Sequence, residues 1–166
     1  IPRDATGGPK EAARMIERIT QRTREKLERD PKLAKLMSQV KMVDTTEGVR
    51  IDLVDDANFS MFNLGTTVLT REATALLGAL AQAIEPEERK VIIRGHTDSL
   101  PWKRPGRINN WSLSAGRAEA TRQSLMNEGI PHESFRRIEG VADTELLVKD
   151  DPSDPRNRRI SIVLAP

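Results

Sequence analysis

Three short segments of the chain carry more polar chemistry than a hydrophobic core requires. Gly95-His96-Thr97-Asp98 follows the apolar run Val91-Ile92-Ile93, which reads as a buried strand, so its polar residues fall at a strand's C-terminal end. Side chains at such ends face the crevice in which α/β arrangements bind ligands. The second segment, Asn109-Asn110-Trp111-Ser112-Leu113-Ser114-Ala115-Gly116-Arg117-Ala118, opens a helix over about 110–128 that Gly129 ends. The third, Asn157-Arg158-Arg159, leads into the final strand over 159–164.

Helical geometry sharpens the second segment. At about 100° per residue, Asn110, Ser114, Arg117 and Thr121 share one face, while Trp111, Ala115, Ala118 and Leu125 share another. The spacing predicts that the second face meets the sheet and that the polar stripe lines a groove. Arg117 sits in the first two turns, where free backbone amides and the helix dipole favour anions. A carboxylate is its natural compensation, held bidentately by the guanidinium. Asp98 offers the opposite charge. Together they could hold a zwitterion, carboxylate on Arg117 and ammonium on Asp98. Geometry alone favours a plain salt bridge over ligand capture, with Asn110 or Ser112 serving only as helix caps.

Other chemistries fit less well. His96 and Asp98 would share a strand face, yet the other histidine, His132, lies far along the chain, so a three- or four-ligand metal site is not expected. The chain shows no Gly-x-Ser-x-Gly elbow, no Gly-rich phosphate loop and no paired nucleophile and base, so neither catalysis nor a cofactor is expected. His96 reads as a buried, hydrogen-bonded residue. Trp102-Lys103-Arg104-Pro105-Gly106-Arg107 and Arg156 to Arg159 concentrate positive charge. With two Trp, three Phe and no Tyr, however, the chain is a poor base-stacking platform, and nucleic acid is not an expected partner.

The elements that must position these residues follow from patterning. After Thr6-Gly7-Gly8-Pro9, residues 10–29 place Ala12, Met15, Ile16, Ile19, Thr23 and Leu27 at helical spacing amid dense charge. This thin stripe needs a neighbour or a second copy of itself. Asp30-Pro31 supplies a cap and a first-turn proline for a second helix with Leu33, Leu36, Met37 and Val40 on one face. From about residue 47 strands and helices alternate. Val49, Ile51 and Leu53 mark a strand, Phe59 to Leu64 a short extended piece, and Thr70 caps a helix bearing Leu69, Ala73, Leu76, Leu77, Leu80 and Ile84. Lys90–Gly95, 110–128, 135–141 and 159–164 complete the series. The expected fold is α+β, a two-layer sandwich with a β-α-β-α-β-β core and helices on one face of a mixed sheet, preceded by linker helices. Residues 1–46 form the lead-in and 47–166 the domain.

Composition narrows the class. The 166 residues carry 27 basic and 25 acidic side chains, a net charge of +2, which is too balanced for a dedicated nucleic-acid protein. The first 48 residues hold 11 basic against 8 acidic groups, so the excess belongs to the lead-in. The absence of cysteine excludes disulfides, thiolate metal sites and a thiol nucleophile. No apolar run approaches 18 residues, no signal sequence opens the chain, and it begins with Ile1. The expectation is a segment processed or excised from something longer.

Taken in order, Gly95-His96-Thr97-Asp98, Asn110-x-x-Leu113-Ser114-x-x-Arg117-Ala118 and Asn157-Arg158-Arg159 before a strand resemble the signature of OmpA-like peptidoglycan-binding domains, over about residues 47–165. Within that family the wording is most similar to the wall-anchoring subunits of flagellar stators. The similar stretches are Asp30-Pro31-Lys32-Leu33, Arg50-Ile51-x-Leu53-Val54-Asp55 followed by Met61-Phe62, Asn110-Trp111-x-Leu113-Ser114 and Ala142-Asp143-Thr144. The resemblance implies a ligand, the diaminopimelate-containing stem peptide of peptidoglycan. It also implies site residues: Asp98 and Arg117 as the holding pair, with Thr97, Asn110 and Arg158 beside them. It further implies the periplasmic domain of a single-pass inner-membrane protein, a MotA-type stator partner, a homodimer and contact with a basal-body ring protein. An anchor of a lipoprotein or secretion system without a motor role is the alternative, and a peptidoglycan-cleaving enzyme built on His96 and Asp98 is a third.

Overall fold

In a computed structural model of the protein, which describes residues 8–99 and 109–166, the charged N-terminal run forms helix α1 (Pro9–Leu27). The helix buries Ala12, Met15, Ile19, Thr23 and Leu27, the stripe its spacing predicts. The Thr23 hydroxyl donates to the Ile19 carbonyl at 2.7 Å, so its burial leaves no polar group unpaired. The neighbour this stripe needs is the same chain: α1 packs on α3 (Arg71–Ile84). Glu87, just beyond α3, clamps the contact by accepting from Arg18 at 2.7 Å and Arg22 at 2.7 Å.

Asp30 caps and Pro31 opens α2 (Pro31–Ala34), but the helix lasts one turn. The chain tightens into a 3₁₀ turn over Lys35–Gln39 and then extends as strand β1 (Val40–Thr45). The expected helix face running to Val40 is thereby corrected. Val40 and Met42 alternate with the more exposed Lys41 and Val43 on an edge strand. Six residues of partial alternation, next to Leu33, Leu36 and Met37, mimic a helical spacing.

The remaining elements are β2 (Gly48–Val54), β3 (Lys90–His96), α4 (Asn110–Asn127), β4 (Phe135–Gly140) and β5 (Arg159–Ala165). Thr70 caps α3 by accepting from the Ala73 amide at 3.2 Å. α4 stops at Gly129 (φ +120°), where the Ile130 amide returns to the Leu125 carbonyl and the Gly129 amide to Met126. The sheet order is β1-β2-β5-β3-β4, with β5 antiparallel to β2 and β3, and β4 parallel to β3. From β2 onward the element order is the expected β-α-β-α-β-β. Ile51, Leu53, Ile93, Ile162 and Leu164 of the sheet meet Met15, Ile19, Leu76, Leu77, Leu80 and Leu125 of the helices in one core. Each such side chain contributes about 1.5–3 kcal/mol on burial. No helix among the described residues is long and apolar enough to cross a membrane.

Two glycines set the approach of α4. A Cβ on Gly140 would lie 2.7 Å from Ala115 Cα, and one on Gly95 would overlap the Ser114 carbonyl. The helix therefore lies almost directly on the β3 and β4 backbones. This seating overturns the expected division of its faces. Ser114 and Thr121 are buried together with Leu113, Arg117, Ala118 and Leu125, while Trp111 is 57% exposed. Burial of the two hydroxyls costs little because each donates to a carbonyl one turn back, Ser114 to Trp111 and Thr121 to Arg117.

The extended piece expected over 59–64 makes a single bridge, Phe62 with Leu69. That bridge, with the Asn63 amide donating to the Val68 carbonyl at 2.9 Å, closes a short finger between β2 and α3. The basic loop Trp102–Arg107 and the opening Thr6-Gly7 lie outside the described residues.

Candidate ligand-binding site

Because β2, β3 and β4 run in one direction and β5 in the other, the C-terminal ends of the first three and the start of β5 share one end of the sheet. Asp55 follows β2 there, Thr97 and Asp98 follow β3, and Arg158 immediately precedes β5. The first turn of α4 reaches the same end, where the Asn110 Nδ2 donates to the Asp98 carbonyl at 3.4 Å. α4 opens on a capping box in which Asn109 and Ser112 exchange hydrogen bonds. Asn109 and Ser112 are thus spent on the helix end, and Asn110 is not the cap.

Asp98 is 6% exposed and accepts from Arg158 Nη1 at 2.8 Å. The same guanidinium reaches the other way, Nε donating to Asp55 Oδ2 at 3.1 Å. Burial pulls the Arg158 pKa down, but its hydrogen bonds to Asp98 and Asp55 outweigh this and leave it raised. For Asp55 the balance is reversed. Burial raises its pKa more than the Met61 amide and Arg158 lower it.

Arg117 differs from its neighbour. It is 6% exposed, yet among the described residues it makes no ion pair. Its Nε donates to the Thr66 carbonyl at 2.9 Å, and its guanidinium carbon stands 4.9 Å from the centre of the Phe62 ring. Both contacts come from the finger, and Thr67 rests against Gly116 beside them. Burial pushes the Arg117 pKa down to about 10, against the nearby charges of Asp55 and Asp98 and with the help of Arg158. A buried cation held by a carbonyl and an aromatic face keeps its two terminal amino groups for another acceptor. Thr97 adds a second such feature. Its amide donates to the Ala142 carbonyl at 2.9 Å, while its buried hydroxyl has no partner among the described residues.

The structure therefore gathers Asp98, Thr97, Asn110 and Arg158 at one end of the sheet, with Arg117 near enough to feel the charges of Asp55 and Asp98, and pairs Asp98 to Arg158 rather than to Arg117. Sequence reasoning missed the role of Asp55. The signal was available, since Asp55 is the first residue past a strand parallel to β3, just as Thr97 is past β3 itself. Phe62 and Thr66 had no local signal, because only the fold of the finger brings them to α4. Ser114 and Thr121, expected in the groove, pack against the sheet instead.

One further expectation has a structural account. His96 points to the sheet face opposite the helices, where its Nε2 meets Ser161 Oγ at 3.2 Å. Ser161 donates in turn to Asp52 Oδ1 at 2.5 Å, so the network assigns the proton to His96 Nε2. Burial, with Arg159, Arg94 and Arg50 nearby, pushes the His96 pKa down to about 3. This neutral imidazole is a buried hydrogen-bonding group. His132 lies in the turn before β4, at the other end of the sheet. Among the described residues no group of three His, Asp or Glu could hold a metal ion. Asn157 is a pin: its side chain accepts from the Val148 amide at 2.7 Å and donates to the carbonyls of Val148, Asp151 and Pro152, which fixes the loop that delivers Arg158.

A mixed sheet covered on one face, with this crevice at its strand ends, defines the class. The chain belongs to the OmpA family, whose profile matches residues 61–159. It is 34% identical to motility protein B of Escherichia coli (strain K12) over 139 residues, 83% of this chain and 45% of that protein. The chain thus spans less than half of that relative. Among solved structures, the cell wall anchor of the type VI secretion system from Pseudomonas aeruginosa superposes with a TM-score of 0.67 at 25% identity, covering 86% of this chain and 99% of that one. The periplasmic domain of Helicobacter pylori MotB superposes with a TM-score of 0.66 at 18% identity, covering 80% and 83%, a likeness of fold. The expected family, its relation to motility protein B and the α+β architecture therefore hold.

Proposed function

We propose that this domain is a non-catalytic cell-wall anchor that captures the diaminopimelate-type stem peptide of peptidoglycan. The observation that carries the reading is Arg117, a buried guanidinium without a carboxylate partner among the described residues, in a crevice that also holds the carboxylate of Asp98. The ligand's carboxylate would complete Arg117 bidentately, and its ammonium would join Arg158 at Asp98, whose oxygens can accept more than one hydrogen bond. The Asn110 side chain stands on the Asp98 carbonyl, and the buried Thr97 hydroxyl lies one residue before Asp98. The family membership and a structural relative that is itself a cell wall anchor support the reading.

Relation to motility protein B favours a motor role: the periplasmic part of an inner-membrane protein working as a homodimer with a MotA-type subunit and, beyond it, a basal-body ring protein. The secretion-system anchor is the second reading, favoured by the likeness that spans nearly all of that chain. Both share the wall-binding crevice. Sedimentation with purified insoluble peptidoglycan tests it. The wild-type domain is expected to pellet, and Arg117→Ala to bind about tenfold more weakly or worse. Equal retention of both in the supernatant would sink the proposal. Restored swimming of a stator-deficient strain by the full-length parent protein would select the motor over the secretion anchor.

A further inference from the structure

We infer that Asp55 is the positioning residue of the crevice, the single carboxylate that sets both the Asp98 half and the Arg117 half of the ligand site. The inference deepens the wall-anchor reading and rests on it.

The geometry runs in two directions from one side chain. Asp55 Oδ2 accepts from Arg158 Nε at 3.1 Å, and Arg158 Nη1 then donates to Asp98 at 2.8 Å. A planar guanidinium bound at two edges cannot rotate, so Asp55 fixes the plane from which Arg158 addresses Asp98. The backbone reinforces this, since the Asp55 amide donates to the Arg158 carbonyl at 3.0 Å. The other oxygen, Oδ1, accepts from the Met61 amide at 3.0 Å. Met61 is the residue before Phe62, at the root of the finger that carries the Phe62 ring and the Thr66 carbonyl onto Arg117. One carboxylate thus ties β2 to β5 through Arg158 and ties the end of β2 to the finger through Met61.

Burial gives the arrangement its leverage. Asp55 is 5% exposed, so both hydrogen bonds act in a low-dielectric setting and neither is easily replaced by water. A simple turn aspartate would have no reason to be buried between two arginines. The position matters to the ligand because each Asp55 oxygen is engaged inside the protein, one by Arg158 and one by the Met61 amide, so that Asp55 organises the groups that meet the ligand.

The test uses Asp55→Asn and Arg158→Lys, with binding to insoluble peptidoglycan and thermal unfolding measured in parallel. Asparagine keeps an acceptor for the Met61 amide and removes the charge that orients Arg158. Lysine keeps a cation beside Asp98 but cannot bridge two carboxylates in fixed geometry. Each is expected to weaken binding about tenfold, and the double variant to bind no more than about twofold worse than the weaker single, because both break one chain of contacts. Asp98→Asn provides the second cycle, in which the effect of Asp55→Asn should shrink to about threefold or less. Full wild-type binding by folded Asp55→Asn, or losses that simply multiply in both cycles, would overturn the inference. If Asp55→Asn does not fold, Asp55→Glu replaces it in both cycles, with the same losses expected and the same outcomes overturning the inference. Failure of the wild-type domain itself to bind would instead overturn the wall-anchor reading.

Discussion

At the scale of single residues, the crevice shows two ways of keeping an arginine buried. Arg158 is neutralised by two carboxylates, whereas Arg117 is held by a carbonyl and a ring and keeps its charge for use. The Phe62 ring is the less obvious part of that device. Phe62→Leu should leave the fold intact, because the side chain stays apolar and of similar size. It removes a partly desolvated cation–π contact of about 1–2 kcal/mol that holds Arg117 in position, so peptidoglycan affinity should fall, by at most about thirtyfold. Unchanged affinity would mean that Thr66 alone positions Arg117. The residues with local signals were legible in the sequence: Asp98 at a strand end, Arg117 near a helix start and Arg158 before the last strand. Their pairing was not. Asp98 and Arg158 meet across 60 residues of chain, and helical periodicity says nothing about which of two arginines an aspartate will take.

At the scale of elements, the helices were legible where their apolar stripes were long, as in α1 and α3, and the caps at Asp30, Thr70 and Gly129 fell where local chemistry puts them. β1 was not legible, because an edge strand buries one face only in part and its alternation is short. The face of α4 was misjudged for a different reason. Polarity pointed to a groove for Ser114 and Thr121, but the small residues opposite, Gly95 and Gly140, admit the helix so closely that only small side chains fit between. Gly95→Ala puts a methyl against the Ser114 carbonyl and must push α4 outward. It should cost about 2–3 kcal/mol in denaturant unfolding, the range for overpacking. A cost below about 0.5 kcal/mol would show that the helix can lift without loss. Because α4 carries both Asn110 and Arg117, the displacement should also weaken peptidoglycan binding.

At the scale of the whole molecule, the two faces of the sheet do different work. The helix side holds the apolar core, and the opposite side is bound by charge. Arg94 bridges Glu139 and Glu47, and Asp52, Ser161 and His96 form a buried chain between three strands. This polar side makes stability depend on pH. His96 stays neutral in the folded protein with its pKa down at about 3, whereas an unfolded histidine protonates near 6.5. The unfolded state therefore binds the extra proton between these values, so this stabilisation is complete above pH 6.5 and is lost as pH falls towards 3. At about 1.4 kcal/mol per pH unit, roughly 2–3 kcal/mol should disappear between pH 6.5 and 4.5. Asp55, with its raised pKa, acts in the opposite sense in any variant that keeps it and so cancels in a comparison. Denaturant unfolding at the two pH values should show that loss in the wild type and less than half of it in His96→Gln. Equal losses would place the acid sensitivity elsewhere.

The position of β5 reaches beyond the folded state. The last strand of the chain lies in the middle of the sheet, and β2 and β3 are joined only through it. A chain threaded N-terminus first through a membrane pore would emerge with its sheet in two unconnected parts, β1 with β2 and β3 with β4. Until the final seven-residue strand arrives, neither part has its central partner, and Arg158 cannot meet Asp55 and Asp98. Assembly of the Asp55–Arg158–Asp98 chain and closure of the sheet are then one event, timed by the arrival of β5. In such a chain the groups at this end of the sheet come together only once β5 is on the far side.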